Sequence, residues 1–210
     1  MTQIFNDDVE VNGNVQVSGV VSQQTTAPSL SDFSWVHQGD ATASQTVRGI
    51  HVHAPGKHTD YVRILKKAAP TAPYTVTAHI EMLIHQIPHQ AAGVLWRSSS
   101  SGRHVNFGIT NSGTYGFSLI HSRWNSYTNW ANNIFGLTVP APISWFRLED
   151  DGTDRNCYVS IDGENWLLIS STANTDHITP DEVGFYVTPT DDSNTTLPDA
   201  AILVTTWEEA

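Results

Sequence analysis

The chain has 210 residues, 39% of them hydrophobic and only 15% charged. Ten Lys plus Arg against twenty-one Asp plus Glu leave a net charge of −11, which argues against nucleic-acid binding, because that needs a basic footprint. No apolar run approaches the roughly 18 residues of a membrane span, and no lipidation motif stands at either end.

Residues 1–21 hold Ile4 and Phe5, then Val9, Val11, Val15, Val17, Val20 and Val21 within a polar stretch. The alternation reads as short half-buried strands around an Asn12-Gly13 turn. A two-stranded ribbon is marginal in water. This segment is therefore expected to bury its valines on copies of itself or on a larger assembly; docking on its own domain is the alternative. A chain opening at Met1 is expected to have lost no leader. Residues 22–29 read as a linker and residues 30–210 as one head, with about 180 residues being enough for a single all-β core.

Strand patterns with turns between them follow. Phe33 to Val36 opens the head. Tyr74 to His85 is a long strand with Val76, Ala78, Ile80, Met82 and Ile84 on one face. Gly93 to Ser98 precedes the turn Ser100-Ser101-Gly102, and Val105 to Thr110 and Gly116 to Ser122 flank Asn111-Ser112-Gly113. Trp145 to Asp150 and Asn156 to Ile161 flank an Asp-Gly turn. Asn165 to Ser170, Val183 to Val187 and Ile202 to Trp207 close the domain. Many short strands and no helix pattern indicate a β-sandwich. Cys157 lies in an apolar strand pattern and has no second cysteine to pair with; it reads as a buried, inert thiol made in a cytoplasm.

Three stretches carry a family resemblance. Ser160-Ile161-Asp162-Gly163-Glu164-Asn165-Trp166 resembles the Ser-x-Asp-Gly-x-x-Trp hairpin of concanavalin-A-like lectin/glucanase sandwiches, and Thr179 to Tyr186 is similar to the strand that follows it. Phe33 to Gly39, with Ala69 to Ala78, is similar to modules of bacteriophage virion proteins. The valine ribbon is similar to the intertwined segments of trimeric phage fibres. The resemblance implies an all-β protein, a short N-terminal β anchor followed by a concanavalin-A-like jelly-roll head. It further implies a virion surface protein, either a capsid decoration or head fibre or a short tail fibre. Its partners would be its own copies in a homotrimer, other virion proteins, and host-surface polysaccharide; a decoration protein without ligand is the alternative, and a glycan-hydrolysing enzyme a distant one. In that hairpin Trp166 is expected to pack inward beside Leu168.

Candidate site residues follow from alternation. Phe146, Leu148, Cys157, Val159 and Ile161 are expected inside, and Trp145, Arg147, Glu149, Tyr158 and Ser160 outside. Aromatic rings stack on sugar C–H faces while Arg and Glu bond hydroxyls, so Trp145, Arg147 and Tyr158 are glycan candidates, with subunit contact as the alternative. The densest cluster is His121 to Trp130, expected to leave a strand for a loop. Trp124, Tyr127 and Trp130, with Arg123 and Asn125, would line a glycan groove or else plug the sandwich edge. His51, His53 and His58 lack the three or four matched ligands of a zinc site. Glu149 to Asp154 reads as a solvated acidic turn rather than a calcium loop. No metal or cofactor is expected. No Glu-x-Asp-x-x-Glu strand supplies the acid and nucleophile of glycoside hydrolysis, so no catalytic residue is assigned.

Overall fold

The computed structural model describes residues 27–56, 62–84, 89–111, 116–189 and 198–210. The anchor residues from Ile4 to Val21, and the trimer assigned to them, lie outside the described residues, as do His58, His85 and Ser112-Gly113.

After one 3-10 turn, Leu30–Asp32, the described residues form fourteen strands. They are β1 (Ser34–Trp35), β2 (Thr42–Thr46), β3 (Gly49–Ala54), β4 (Arg63–Ala68), β5 (Tyr74–Leu83), β6 (Ala91–Arg97) and β7 (His104–Asn111). Then come β8 (Phe117–Ser126), β9 (Asn129–Thr138), β10 (Trp145–Asp150), β11 (Asp154–Ser160), β12 (Leu167–Ala173), β13 (Glu182–Thr188) and β14 (Ala200–Glu209). Two seven-stranded antiparallel sheets stack as a sandwich. The first runs β1-β4-β13-β6-β7-β8-β9 and the second β12-β11-β10-β5-β14-β3-β2.

Strand alternation builds the core. Val76, Ala78 and Ile80 of β5, Phe146 and Leu148 of β10, and Cys157 and Val159 of β11 point inward from the second sheet and are buried. Val94 and Trp96 of β6, Phe107 and Ile109 of β7, and Phe185 and Val187 of β13 meet them from the first. Phe107 and Phe146 touch edge to face across the two layers, with centroids 5.9 Å apart. Burying a Val, Leu, Ile or Phe side chain there contributes roughly 1.5–3 kcal/mol.

Three expectations are corrected. His121 to Trp130 is not a strand running into a loop. It is a hairpin, β8 extending to Ser126 and β9 beginning at Asn129, with Ser126 facing Asn129. Ile161 is 92% exposed, because β11 ends at Ser160 and alternation does not continue into the turn. That turn is built by Asp162, whose carboxylate accepts the N–H groups of Glu164 (2.9 Å) and Asn165 (2.8 Å), and these bonds hold its pKa well below the usual range. Trp166 does not enter the core. It lies half-buried on the outer face of the second sheet, with the Arg147 guanidinium 4.0 Å above its ring. Beside it, Leu167 and Leu168 start the exposed edge strand β12, whose pairing with β11 shifts after Cys157.

Candidate functional site

The outer face of the first sheet carries a pocket whose floor follows from strand register. Tyr186 of β13 faces Gly93 of β6, Gly93 faces Gly108 of β7, and Gly108 faces Ile120 of β8. Two adjacent outward positions in that row therefore have no side chain, and the row sinks between Tyr186 and Ile120. Only glycine fits here. A Cβ on Gly93 would meet the Phe107 carbonyl oxygen at 2.2 Å, and one on Gly108 would meet that of Ala92 at 2.1 Å. Glycine within a strand signals such a close approach.

The rows on either side supply walls. On one side Thr188, Ala91 and Thr110 stand in register; on the other stand Asn106, Ser122 and Asn133. One row further, His104 faces Trp124, and Trp124 faces Trp130. The enclosed space is about 270 Å³, with His89 at its rim. His89 has a left-handed backbone, φ 71°, a strained conformation that non-glycine residues hold where the surroundings fix it.

Hydrogen bonds set the walls. The neutral His104 ring lies 5.6 Å from Trp124, nearly parallel to it, and donates its Nδ1–H to Asn106 Oδ1 at 2.7 Å. Burial first, and then the nearby Arg97 charge, lower the His104 pKa to about 4. Trp124 donates Nε1–H to Ser122 Oγ at 3.0 Å, and Trp130 donates Nε1–H to Asn133 Oδ1 at 3.2 Å. Behind the wall, Asp176 accepts from Arg123 Nε and Nη2 at 3.0 and 2.7 Å, and His177 Nε2 lies 3.0 Å from the Trp124 carbonyl. These contacts clamp β8 in place.

Three buried polar atoms of the lining residues have no partner among the described protein atoms: Asn106 Nδ2, Tyr186 Oη and Thr188 Oγ1. Burial raises the Tyr186 pKa, so its phenol keeps its proton. Native proteins rarely leave buried polar groups unpaired, and one that does so invites an explanation. The described lining carries no Asp, Glu, Lys or Arg.

The sequence candidates divide among different places. Trp124 and Trp130 line the pocket, the first 8% exposed and packed with Ile64, Leu95 and Tyr186, the second 49% exposed at the rim. Arg123 is engaged by Asp176 and does not line it. Asn125 is exposed outside it, and Tyr127 stacks on His37 with centroids 3.9 Å apart. Trp145, Arg147 and Tyr158 sit on the outer face of the opposite sheet. There Tyr158 donates to Glu149 at 2.6 Å, Arg147 Nε donates to Thr77 Oγ1 at 3.0 Å, and Trp145 lies 4.5 Å from His79. The two sets of candidates therefore lie on opposite sheets of the sandwich. Sequence reading missed Asn106, Tyr186, Thr188 and Asn133. The two strand glycines were the available signal.

Elsewhere, Asp151 Oδ1 accepts N–H from Thr153 and Asp154 at 2.8 and 2.7 Å, so that acidic turn consumes its own carboxylate. His53 Nε2 lies 2.7 Å from Asp199. Among the described residues no group of three His, Cys, Asp or Glu is placed to hold a metal ion.

No protein-family model matches the chain, and no curated protein matches it in sequence. Solved structures do match in fold. A functionally unknown protein from Saccharomyces cerevisiae aligns with TM-score 0.64 and 16% identity over 87% of this chain and 98% of that one. The GH43 protein BlXynB from Bacillus licheniformis aligns with TM-score 0.64 and 12% identity over 89% of this chain, which spans 38% of that one. The exoplasmic/lumenal domain of VIP36, in its Ca2+/Man3GlcNAc-bound form, aligns with TM-score 0.57 and 7% identity over 89% of this chain and 87% of that one. The chain has a lectin-like, concanavalin-A-like β-sandwich fold.

Proposed function

We propose that this chain is a carbohydrate-binding module that uses the pocket on the first sheet. The observation that carries the reading is the combination inside that pocket: tryptophan rings at one wall, and three buried polar atoms without protein partners at the others. Sugars present both an apolar C–H face and hydroxyls that donate and accept, which is what such a lining can use. The fold neighbours include proteins with sugar or hydrolase names, so the fold alone is neutral between binding and catalysis. The lining favours binding, since glycoside hydrolysis ordinarily uses two carboxyl groups and the described lining holds none.

The test separates stacking from packing. Trp130→Ala should leave the melting temperature nearly unchanged and weaken glycan-array signal about tenfold, or ~1.4 kcal/mol. Trp124→Ala should lower both. An unchanged signal for both variants would remove the pocket from the reading.

We further propose that the module is displayed on a bacteriophage virion surface as a decoration or fibre head. The support is the likeness of Phe33 to Gly39 and Ala69 to Ala78 to virion modules, and the valine ribbon of residues 1–21. Burying four to six valines per chain, roughly 1.5–3 kcal/mol each before entropy costs, would drive trimer formation. In light scattering the full chain should be a trimer and the chain lacking residues 1–28 a monomer. A truncated head that keeps the full-length mass would refute the anchor. Immunogold labelling of the particle tests the location.

A further inference from the structure

We infer that the pocket takes an uncharged sugar, a hexose or N-acetylhexosamine, and rejects uronic acids and protonated amino sugars. The inference rests on the carbohydrate-binding reading above and narrows it to a ligand class. Its first ground is the lining: eleven residues, none of them Asp, Glu, Lys or Arg among the described ones. A sugar carboxylate or ammonium seated there would be stripped of water with no opposite charge to meet it. That desolvation costs several kcal/mol per ion and is repaid only by a well-placed counter-charge.

His104 does not supply that charge, since burial keeps its ring neutral and its Nδ1–H is committed to Asn106. The chain as a whole carries −11, and such a field disfavours the approach of anions.

The second ground is what the pocket does contain. With Oδ1 taken by His104, Asn106 has the N–H groups of Nδ2 left over, and Tyr186 Oη and Thr188 Oγ1 are hydroxyls that donate and accept, all three buried without described partners in residues that line the pocket. Hydroxyl and acetamido groups match them. The third ground is size. A space of about 270 Å³ lies just below the range of about 300–1,000 Å³ that holds drug-sized ligands, and so admits roughly one or two pyranose rings.

Unpaired buried hydroxyls weaken an empty protein, and replacing them with apolar groups of the same shape is neutral or stabilising. Tyr186→Phe and Thr188→Val should therefore hold or raise the melting temperature while lowering sugar affinity by about threefold to tenfold. A merely structural role would move the two readouts in the same direction.

The decisive experiment is a binding comparison by calorimetry or array at pH 8, where an ordinary imidazole is neutral. It uses pairs differing in charge: glucose against glucuronic acid and galactose against galacturonic acid, with N-acetylglucosamine against glucosamine compared at pH 6, where the sugar amine carries its proton. The neutral member of at least one pair should bind tenfold or more tightly than its charged partner, and Tyr186→Phe should weaken it. Equal or tighter binding of a charged member overturns the charge inference and leaves the carbohydrate reading standing. Undiminished affinity in both Tyr186→Phe and Thr188→Val moves the ligand to another surface. No binding of any sugar at millimolar concentration overturns both.

Discussion

Replacing Trp96 with alanine should lower the melting temperature by roughly 6–20 °C. Trp96 is fully buried on the inner face of β6. Its Nε1–H donates to Tyr74 Oη at 3.1 Å, and the Arg155 guanidinium lies 5.4 Å from its ring centroid. Removing a core tryptophan costs about 3–5 kcal/mol, and each kcal/mol moves the midpoint of a domain this size by about 2–4 °C. The loss falls at the costly end because neighbours suffer too. Tyr74 loses a donor. Arg155, buried with Nε and Nη1 already without partners, loses the π face beneath it. Trp96→Phe fills most of the volume without the N–H and should cost clearly less. Equal melting curves for the wild type and Trp96→Ala would mean that β6 does not face the core.

Acid should begin to destabilise the domain before its carboxylates titrate. Burial lowers the pKa of His104 to about 4 and that of His121 to about 3, with the Arg155 and Arg123 charges adding to the second. His121 lies inside the sandwich, its Nδ1 2.9 Å from Ser170 Oγ and its Nε2 3.9 Å from Cys157 Sγ. Above the ordinary imidazole pKa of about 6.5, folded and unfolded rings are alike neutral and the full stability is present. As pH falls below 6.5 the unfolded rings take up protons and the folded ones do not. Stability therefore declines, reaching a loss on the order of 3 kcal/mol for each ring near pH 4. Asp151, Asp162, Asp181 and Asp199 have pKa values lowered by their hydrogen bonds. Their contribution is lost only below the usual carboxylate range, so the window from pH 6.5 to 4 isolates the histidines. Urea unfolding at pH 7, 5 and 4 should show the decline, and His121→Asn should flatten it. A stability constant from pH 7 to 4 would sink the argument.

The sandwich was legible because alternation is a local property. β5, β10 and β11 declare their buried faces within a few residues, and Phe146, Leu148, Cys157 and Val159 are where that pattern puts them. Alternation does not say which of two outer faces a residue occupies. Trp124 and Tyr158 both point outward, yet from opposite sheets. It also fails where one strand borrows its burial from another. β9 is rich in asparagine, and β2 is a polar edge strand, so neither shows a period of two. The pocket was hidden for a further reason. It is made by the register of β13, β6, β7 and β8, strands separated along the chain, and by atoms that are missing at Gly93 and Gly108. Trp166 misled because the Asp-Gly hairpin fixes a turn but not the side to which the ring after it falls.

A floor made of bare backbone has no rotamers to freeze. Tyr186, Gly93, Gly108 and Ile120 form one cross-strand row in the middle of a seven-stranded sheet, among the last parts of such a domain to open. The cavity therefore stands ready before any guest arrives, and the entropic penalty of association falls on the guest and on rim groups such as Trp130. Depth and selectivity are thereby uncoupled. Exchanging Trp130, Asn133 or His89 retunes what is held, while the hollow itself endures as long as two glycines face each other across β6 and β7.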